Sequence, residues 1–453
     1  MIRGTEVMQN VQSQVKWREC CVMMAGVTNV CDKLCGLAEM EQDDSSTDAA
    51  GDEIVFRCCE RLPTLLMRKK WQEIGYALSA VSEALLEPLN RERLPLWVLE
   101  SLGKILHVSV AEFKVGITLD VATAVTETFR ALRNGCVGQP DIQKAVTEKT
   151  VAVDETCNIL KTSMLEGGPH CVTCLQVGVQ FLGNLVVNNK ETQTVVWNKC
   201  SEVLVDLLKY EDKKVANYSS MVIYNIALGC PVIRSVVADY DGILELLIDN
   251  AMKDSEFALF TVELLLSDTG YLPKVYEKVD AMGRHFILES VQSIVSTDET
   301  CIPVTSVMFL VKRFKDCSDC ILKTCEKYVE ALEPIEVSKL LQLLASASAN
   351  SKYQSELQLD SALLITCSML LKSIHSLGKM GENNFSAVQK LADLSVSTQC
   401  GDIHDHPAFG FKSCLVQIVG NLCWRHPENQ NQVRELDCIP VLLDCCNIDA
   451  RNP

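Results

Sequence analysis

Three observations predict an all-α fold, an armadillo- or HEAT-like right-handed helical solenoid. Residues 181–208 and 418–446 carry the same order of residue types: two apolar residues, Gly-Asn-Leu, a polar turn, a short helix holding Val195 or Val433, and a closing apolar run such as Val203-Leu204-Val205-Asp206-Leu207-Leu208. A unit of that kind cannot bury its apolar face alone, so copies stack, and stacking gives a long groove rather than a closed pocket. Asn184 and Asn225 stand 41 residues apart, within the period of armadillo and related repeats. Hydrophobic residues make up 48% of the 453 residues but aromatics only 6%, a composition that suits close helix packing better than a β-sandwich.

The elements follow in order. Residues 1–53 read as a helical segment ending in an acidic linker, where Asp43-Asp44-Ser45-Ser46-Thr47-Asp48 offers nothing to bury. Residues 54–375 read as armadillo-like repeats. Helices are expected over 71–86 and 96–106, punctuated by Pro88 and Pro95. Asn134 and Asn184 lie 50 residues apart, which implies a longer connection around Glu166-Gly167-Gly168-Pro169. Val215, Tyr218, Val222, Ile223 and Ile226 recur at helical spacing and need a covering helix. Between 271 and 375 the helical pattern persists at 286–294, 304–314 and 337–344, while the asparagine signature fades. Residues 376–408 mix Gly, Asn, Ser and His and read as a flexible insertion; 409–453 read as a final, truncated repeat.

The charge balance narrows the partners. With 59 acidic and 42 basic residues the formal net charge is −17, which opposes nucleic acid and anionic membrane surfaces and favours proteins with basic or extended segments. Self-association is left open. Most of the 23 cysteines lie in apolar helical runs, some as adjacent pairs (Cys20-Cys21, Cys58-Cys59, Cys445-Cys446), where a reduced thiol acts as a small hydrophobe in a reducing cytoplasm. Neither a signal peptide nor a membrane anchor is expected: the N-terminal apolar stretch 20–27 is short, and the best internal one, 362–371, is too short to span a bilayer.

No phosphate loop, nucleophile elbow or zinc-protease helix occurs, so no catalytic residue, cofactor or metal is assigned. Cys171-Val172-Thr173-Cys174 beside His170, and Cys317-Ser318-Asp319-Cys320 with Cys325, have half a zinc spacing without a second half, and His404-Asp405-His406 lacks two further ligands. These carry only a minor reading of the chain as a zinc- or redox-active cysteine protein. The candidate binding residues are Asn134, Asn184, Asn225 and Asn421. In armadillo folds the third helix of each unit lines the groove, and an amide there both donates to and accepts from an extended backbone; the competing role is to satisfy a carbonyl of the protein's own turn. A transport cargo receptor is the alternative function. Such receptors place Trp one turn before this Asn, where this chain has Arg130, Gln180, Met221 and Gln417. Trp197 and Trp424 read as core or rim aromatics.

The C-terminal run Gly410-Phe411-Lys412-Ser413-Cys414-Leu415, continuing through Gly420-Asn421-Leu422-Cys423-Trp424 and Asn429-Gln430-Asn431-Gln432-Val433 to Asp437-Cys438-Ile439-Pro440-Val441-Leu442-Leu443-Asp444, closely resembles the signature of the ataxin-10 family. The resemblance extends back through Tyr218-Ser219-Ser220-Met221, Val196-Trp197, Gln180-Phe181-Leu182-Gly183-Asn184 and Phe129-Arg130-Ala131-Leu132-Arg133-Asn134 to about residue 110. It implies a non-enzymatic armadillo-like scaffold or adaptor for signalling and cell-division proteins. The settings it implies are cytokinesis, the centriole and basal body, neurite outgrowth through Ras–MAP kinase signalling, and neuron survival. The implied locations are cytoplasmic and perinuclear, with the midbody and basal body. In the family another helix follows the Asn-Pro that matches Asn452-Pro453. Ile439, Val441, Leu442 and Leu443 are therefore expected to lack their cover, and residues 429–453 to fray or self-associate.

Overall fold

A computed structural model describes residues 49–240, 242–296, 302–324, 332–389 and 406–452. Regular structure among them is helical throughout, 22 α-helices and one 3-10 helix, with no strand among the described residues. The fold is the all-α helical-repeat class that the sequence predicts. Residues 1–48 of the expected N-terminal segment lie outside the described residues, and helix α1 (Ala49–Met67) opens inside the stretch read as linker. The chain divides into two compact units, 1–200 and 201–453.

In the first unit α2 (Trp71–Ala84), α3 (Pro88–Glu92), α4 (Leu96–Val115) and α5 (Leu119–Gly135) are followed by α6 (Pro140–Lys149), α7 (Ala152–Glu166), α8 (Pro169–Leu185) and the start of α9 (Lys190–Leu208). Proline and side-chain caps set these starts: Pro88, Pro140 and Pro169 stand in first turns, where a missing N–H costs nothing, and Thr118 accepts from the Val121 amide. Helix α5 packs between α2 and α8, and α4 packs on α7 as a second layer. Phe129 of α5 stacks on Phe181 of α8, with ring centroids 6.1 Å apart. Gly178 permits that approach: a Cβ there would stand 3.0 Å from both Leu160 and Phe129.

The 50-residue spacing from Asn134 to Asn184 has a different origin from the one expected. Only Gly167 and Gly168, both at positive φ, separate α7 from α8. The extra length is an additional helix. Thr150 adopts an extended conformation, and its hydroxyl both donates to the Val146 carbonyl (2.6 Å) and accepts from the Ala152 amide (3.1 Å). One side chain thereby closes α6 and opens α7, where the next repeat runs through a single helix, α9. The two matching sequence segments also diverge here. Residues 190–208 form one helix, whereas 427–444 break into two, because Asp437 takes a left-handed conformation (φ 49°) and Pro440 cannot donate within a helix.

The second unit holds α10 (Lys213–Gly229), α11 (Pro231–Asp239), α12 (Ile243–Met252), α13 (Glu256–Leu266), α14 (Tyr271–Lys278), α15 (Ala281–Ser296) and α16 (Val304–Cys317), then the 3-10 helix (Ser318–Thr324). Next come α17 (Leu332–Ala349), α18 (Ser351–Leu359), α19 (Ser361–Lys379), α20 (Phe411–Cys423), α21 (Pro427–Glu435) and α22 (Ile439–Asp444). The expected stripe on α10 is buried at Val215, Val222, Ile223 and Ile226, with Tyr218 half-buried, and α13 supplies the cover. Helix α19 is longer than the sequence suggested: its 19 residues reach the length and hydropathy of a membrane span. It buries Leu363, Leu364, Cys367, Leu371 and Ile374, leaves Ile365 and Met369 exposed, and packs on α20.

The stretch read as an insertion from 376 starts inside α19, and 390–405 lie outside the described residues. Between them Asn383 donates to the Leu377 carbonyl (2.7 Å), Asn384 to the Thr324 carbonyl (2.7 Å), and Phe385 is buried. The last residues return to the start of α20. The Asn452 side-chain carbonyl accepts from the Lys412 amide (2.9 Å), and the Asp449 carboxylate takes the Val388 amide (3.1 Å) and the Lys412 ammonium (3.3 Å). Of the stripe on α22, Ile439 and Leu443 are exposed and Val441 and Leu442 half-buried.

Candidate partner-binding surface

Asn134, Asn184 and Asn421 each lie in the last turn of a helix, α5, α8 and α20, and Asn225 lies four residues before the end of α10. The side-chain amide of Asn134 donates to the Ser82 carbonyl of α2 (2.7 Å), that of Asn184 to the Arg133 carbonyl of α5 (3.1 Å), and that of Asn421 to the Ser348 hydroxyl of α17 (3.0 Å). In these three the amide donor is thus spent on another helix of the same unit. Asn134 and Asn225 are buried, at 7% and 6% exposure, whereas Asn184 and Asn421 are half-buried. The residue four positions after three of them, Gly138, Asn188 or Arg425, takes a left-handed conformation that turns the chain.

A second position repeats with equal regularity and escaped the sequence reading. Nine residues after each asparagine, a side chain donates back to the carbonyl two residues after it. Gln143 reaches the Cys136 carbonyl (3.4 Å), Gln193 that of Val186 (2.9 Å), Arg234 that of Ala227 (2.9 Å) and Gln430 that of Cys423 (2.9 Å). These carbonyls end a helix and have lost their own partners to the turn. A fixed offset from the asparagines was the available signal. The chemistry hid it, since Gln and Arg are interchangeable here only as donors.

The energetic role of the ladder follows. Asn134→Ala removes the donor to Ser82 and the acceptor of the Arg133 Nε–H (3.1 Å) in a buried place. A loss of about 1–3 kcal/mol is expected, against about 1 kcal/mol for Asn184→Ala, where water can reach the vacated carbonyl. Urea unfolding of the two variants followed by circular dichroism checks the order; equal losses would remove burial as the cause.

Around these amides the first unit carries charge. Arg133 donates to the Gln180 side-chain carbonyl (2.5 Å), and Glu127 pairs with Arg130 and accepts from the Ser82 hydroxyl (3.4 Å). Burial lifts the Glu127 carboxyl above its ordinary value although Arg130 and Ser82 oppose the rise. Arg130 and Gln180 are two of the positions where a cargo receptor would carry Trp. Trp197 is buried, and Trp424, 61% exposed, lies under the Arg425 guanidinium.

The second unit has two contrasting carboxylates. Glu336 of α17, 3% exposed, accepts from the Tyr276 hydroxyl (2.9 Å), Arg313 Nε (2.9 Å) and Arg284 Nε (3.2 Å). Burial alone would raise its carboxyl, but the bonds from Arg313 and Tyr276 and the charges of Arg313 and Arg284 hold it below the usual range. Glu263 of α13 has no ion pair among the described residues, and burial pushes its carboxyl up to about 7. It stands near Tyr224 of α10, whose phenol is raised by burial and then by the Glu263 charge. Tyr224, Phe257 and Phe260 touch one another there, with centroids 6.0–6.4 Å apart.

The cysteine candidates differ in burial, since Cys317 and Cys320 are only half-buried. Cys171 and Cys174 sit one turn apart and are buried; burial pushes the Cys174 thiol up to about 12, and His170 is exposed. The Cys317 thiol, likewise raised to about 12 by burial, donates to the Arg313 carbonyl (3.0 Å). Cys325, His404 and Asp405 lie outside the described residues. Fourteen described cysteines are free thiols. Cys157 of α7 and Cys200 of α9 are joined as a disulfide, a pairing the reading of cysteines as small hydrophobes did not foresee, because helix stacking and not sequence spacing brings them together.

Comparison with known proteins converges on the same segments. The pattern described as the spinocerebellar ataxia type 10 protein domain matches residues 411–453, which comprise α20 to α22 and the returning chain that caps α20. Ataxin-10 of Bos taurus is 27% identical over 413 residues, covering 87% of this chain and 85% of that protein. Ataxin-10 of Homo sapiens is 28% identical over 400 residues, covering 83% and 82%. An ataxin-10 homolog of Dictyostelium discoideum is 43% identical over a stretch of 44 residues, 10% of this chain and 7% of that one. With the matched domain at the C-terminus and ataxin-10 proteins aligned over more than four fifths of this helical-repeat chain, the comparisons support the ataxin-10 family.

Proposed function

We propose that this protein is a non-enzymatic scaffold that holds partner proteins by basic, extended segments laid along the asparagine-bearing helix layers. The observation that carries it is the division of labour within that ladder. The amide donors of Asn134, Asn184 and Asn421 are spent inside the fold, while half-buried Asn184 and Asn421 keep side-chain carbonyls to offer to a partner's backbone N–H groups. Asn134, buried and bonded on both sides of its amide, serves the fold itself. A net charge of −17 steers basic segments towards it. We draw the setting from the family resemblance: cytoplasmic complexes in cytokinesis, at the centriole and basal body, and in neurite outgrowth through Ras–MAP kinase signalling and neuron survival.

Electrostatic steering has a direct test. Charges farther apart than about 8 Å are largely screened at physiological ionic strength, so association of a fluorescent octalysine peptide should slow steadily as salt is raised. Stopped-flow rates across a salt series measure it. A flat dependence would leave the acidic surface a role in solubility alone.

A further inference from the structure

We propose that Tyr224, Phe257 and Phe260, with Glu263 beside them, form a seat for one lysine or arginine side chain of a basic partner segment. The proposal rests on the scaffold reading and gives it a location.

The buried face of α13 is Ala258, Thr261, Val262 and Leu265; Phe257, Phe260 and Glu263, three residues apart, occupy another face and are each half-buried. Aromatic rings that serve the core of this protein look different: Phe129, Phe181, Phe314 and Phe411 are all at 0–1% exposure. Tyr224, which directly precedes Asn225 on α10, is half-buried too. Centroid separations of 6.4, 6.0 and 6.1 Å make the three rings a nearly equilateral triangle. A cation resting above its centre lies within about 6 Å of every ring, the range over which a ring quadrupole attracts positive charge.

The carboxylate selects the occupant. A leucine or phenylalanine from a partner would strip water from Glu263 and give nothing back, whereas an ammonium or guanidinium supplies the opposite charge and its aliphatic stem covers the rings. An anion is repelled. Among the described residues no ion pair of the protein's own satisfies Glu263. The site is complete but for a cation, in a chain whose net charge of −17 already favours basic partners.

The test uses the full chain and fluorescein-labelled octalysine, read by anisotropy at pH 8 and physiological salt. Phe260→Leu keeps apolar volume and loses a ring; Glu263→Gln keeps shape and loses the charge. Each should weaken binding about five- to tenfold, Tyr224→Phe should match the wild type, and fully acetylated octalysine should bind poorly. Circular dichroism confirms that the variants are folded. Wild-type affinity in both Phe260→Leu and Glu263→Gln would overturn the seat and leave the scaffold reading standing, and equal binding of acetylated octalysine would assign the rings to an apolar occupant instead. If octalysine fails to bind the wild type even at low salt, the scaffold reading falls with it.

Discussion

Replacing Glu336 with alanine should destabilise the second unit by about 3 kcal/mol, the largest single loss expected outside the apolar core. The carboxylate is the one acceptor shared by the Tyr276 hydroxyl and the Nε groups of Arg284 and Arg313, which come from three different helices. Without it a buried phenol and two guanidinium groups lose their common partner. Breaking buried pairs costs about 3–5 kcal/mol; the lower end applies because the Arg284 and Arg313 side chains keep 26% and 39% of their surface in water and can rehydrate. Glu336→Gln retains one acceptor and should lose roughly half as much. The pH dependence has a definite sign. A carboxyl held below its unfolded value adds stability that is present above the unfolded value and is lost as pH falls through the folded one. The gap between wild type and Glu336→Ala should therefore be full at pH 7 and close in acid. Urea unfolding at a series of pH values, with hydrogen exchange of α14 to α17 to identify the unit that melts, checks both statements. An unchanged midpoint at pH 7 would show that the three helices hold together without the carboxylate.

That network also shows where sequence legibility ends. Helix type and approximate position were readable for α15, α16 and α17, because Phe286, Val304 and Val337 open apolar runs at helical spacing and periodicity is a local property. The asparagines were readable as a recurrence, since three of them donate to another helix, two to a backbone carbonyl and one to a hydroxyl. Their role was not. Whether an amide faces a partner or the preceding helix depends on contacts 51 to 73 residues away in sequence, such as Asn184 to Arg133 and Asn421 to Ser348. After Tyr271 the sequence context of the asparagine changes: Asn350 donates to the Val295 carbonyl (3.4 Å) but caps the start of α18 instead of ending a helix, and the Ser346 and Ser348 hydroxyls of α17 accept from Gln292 (2.8 Å) and Asn421 (3.0 Å). The pairing of Tyr224 with Phe257 and Phe260 was hidden in the same way, because only the packing of α10 on α13 brings together residues that are individually unremarkable in a helix.

Glu263→Gln should make the protein more stable at pH 8, an outcome opposite to that of Glu336→Gln although both remove one carboxylate from the same unit. Burial among the rings pushes the Glu263 carboxyl from 4.5 up to about 7, so the fold favours its neutral form. A group whose value is raised contributes stability that is complete below the unfolded value and is lost as pH rises through the folded one. Between about pH 4.5 and pH 7 the wild type therefore loses stability that the glutamine variant keeps. The shift corresponds to about 3 kcal/mol at most, and the half-buried position brings the expected gain to about 1–3 kcal/mol at pH 8, vanishing near pH 4. Tyr224 is the ionisable neighbour that feels this charge, and its phenol stays neutral throughout that window. Thermal melts of the two proteins at pH 4, 6 and 8 measure the divergence. On the proposed seat this charge is what a lysine of octalysine pairs with, so the same melts with octalysine present should show the wild type regaining at pH 8 what the variant cannot. Parallel melting curves across the whole pH range would mean that water reaches Glu263 freely and that the rings impose no penalty on its charge.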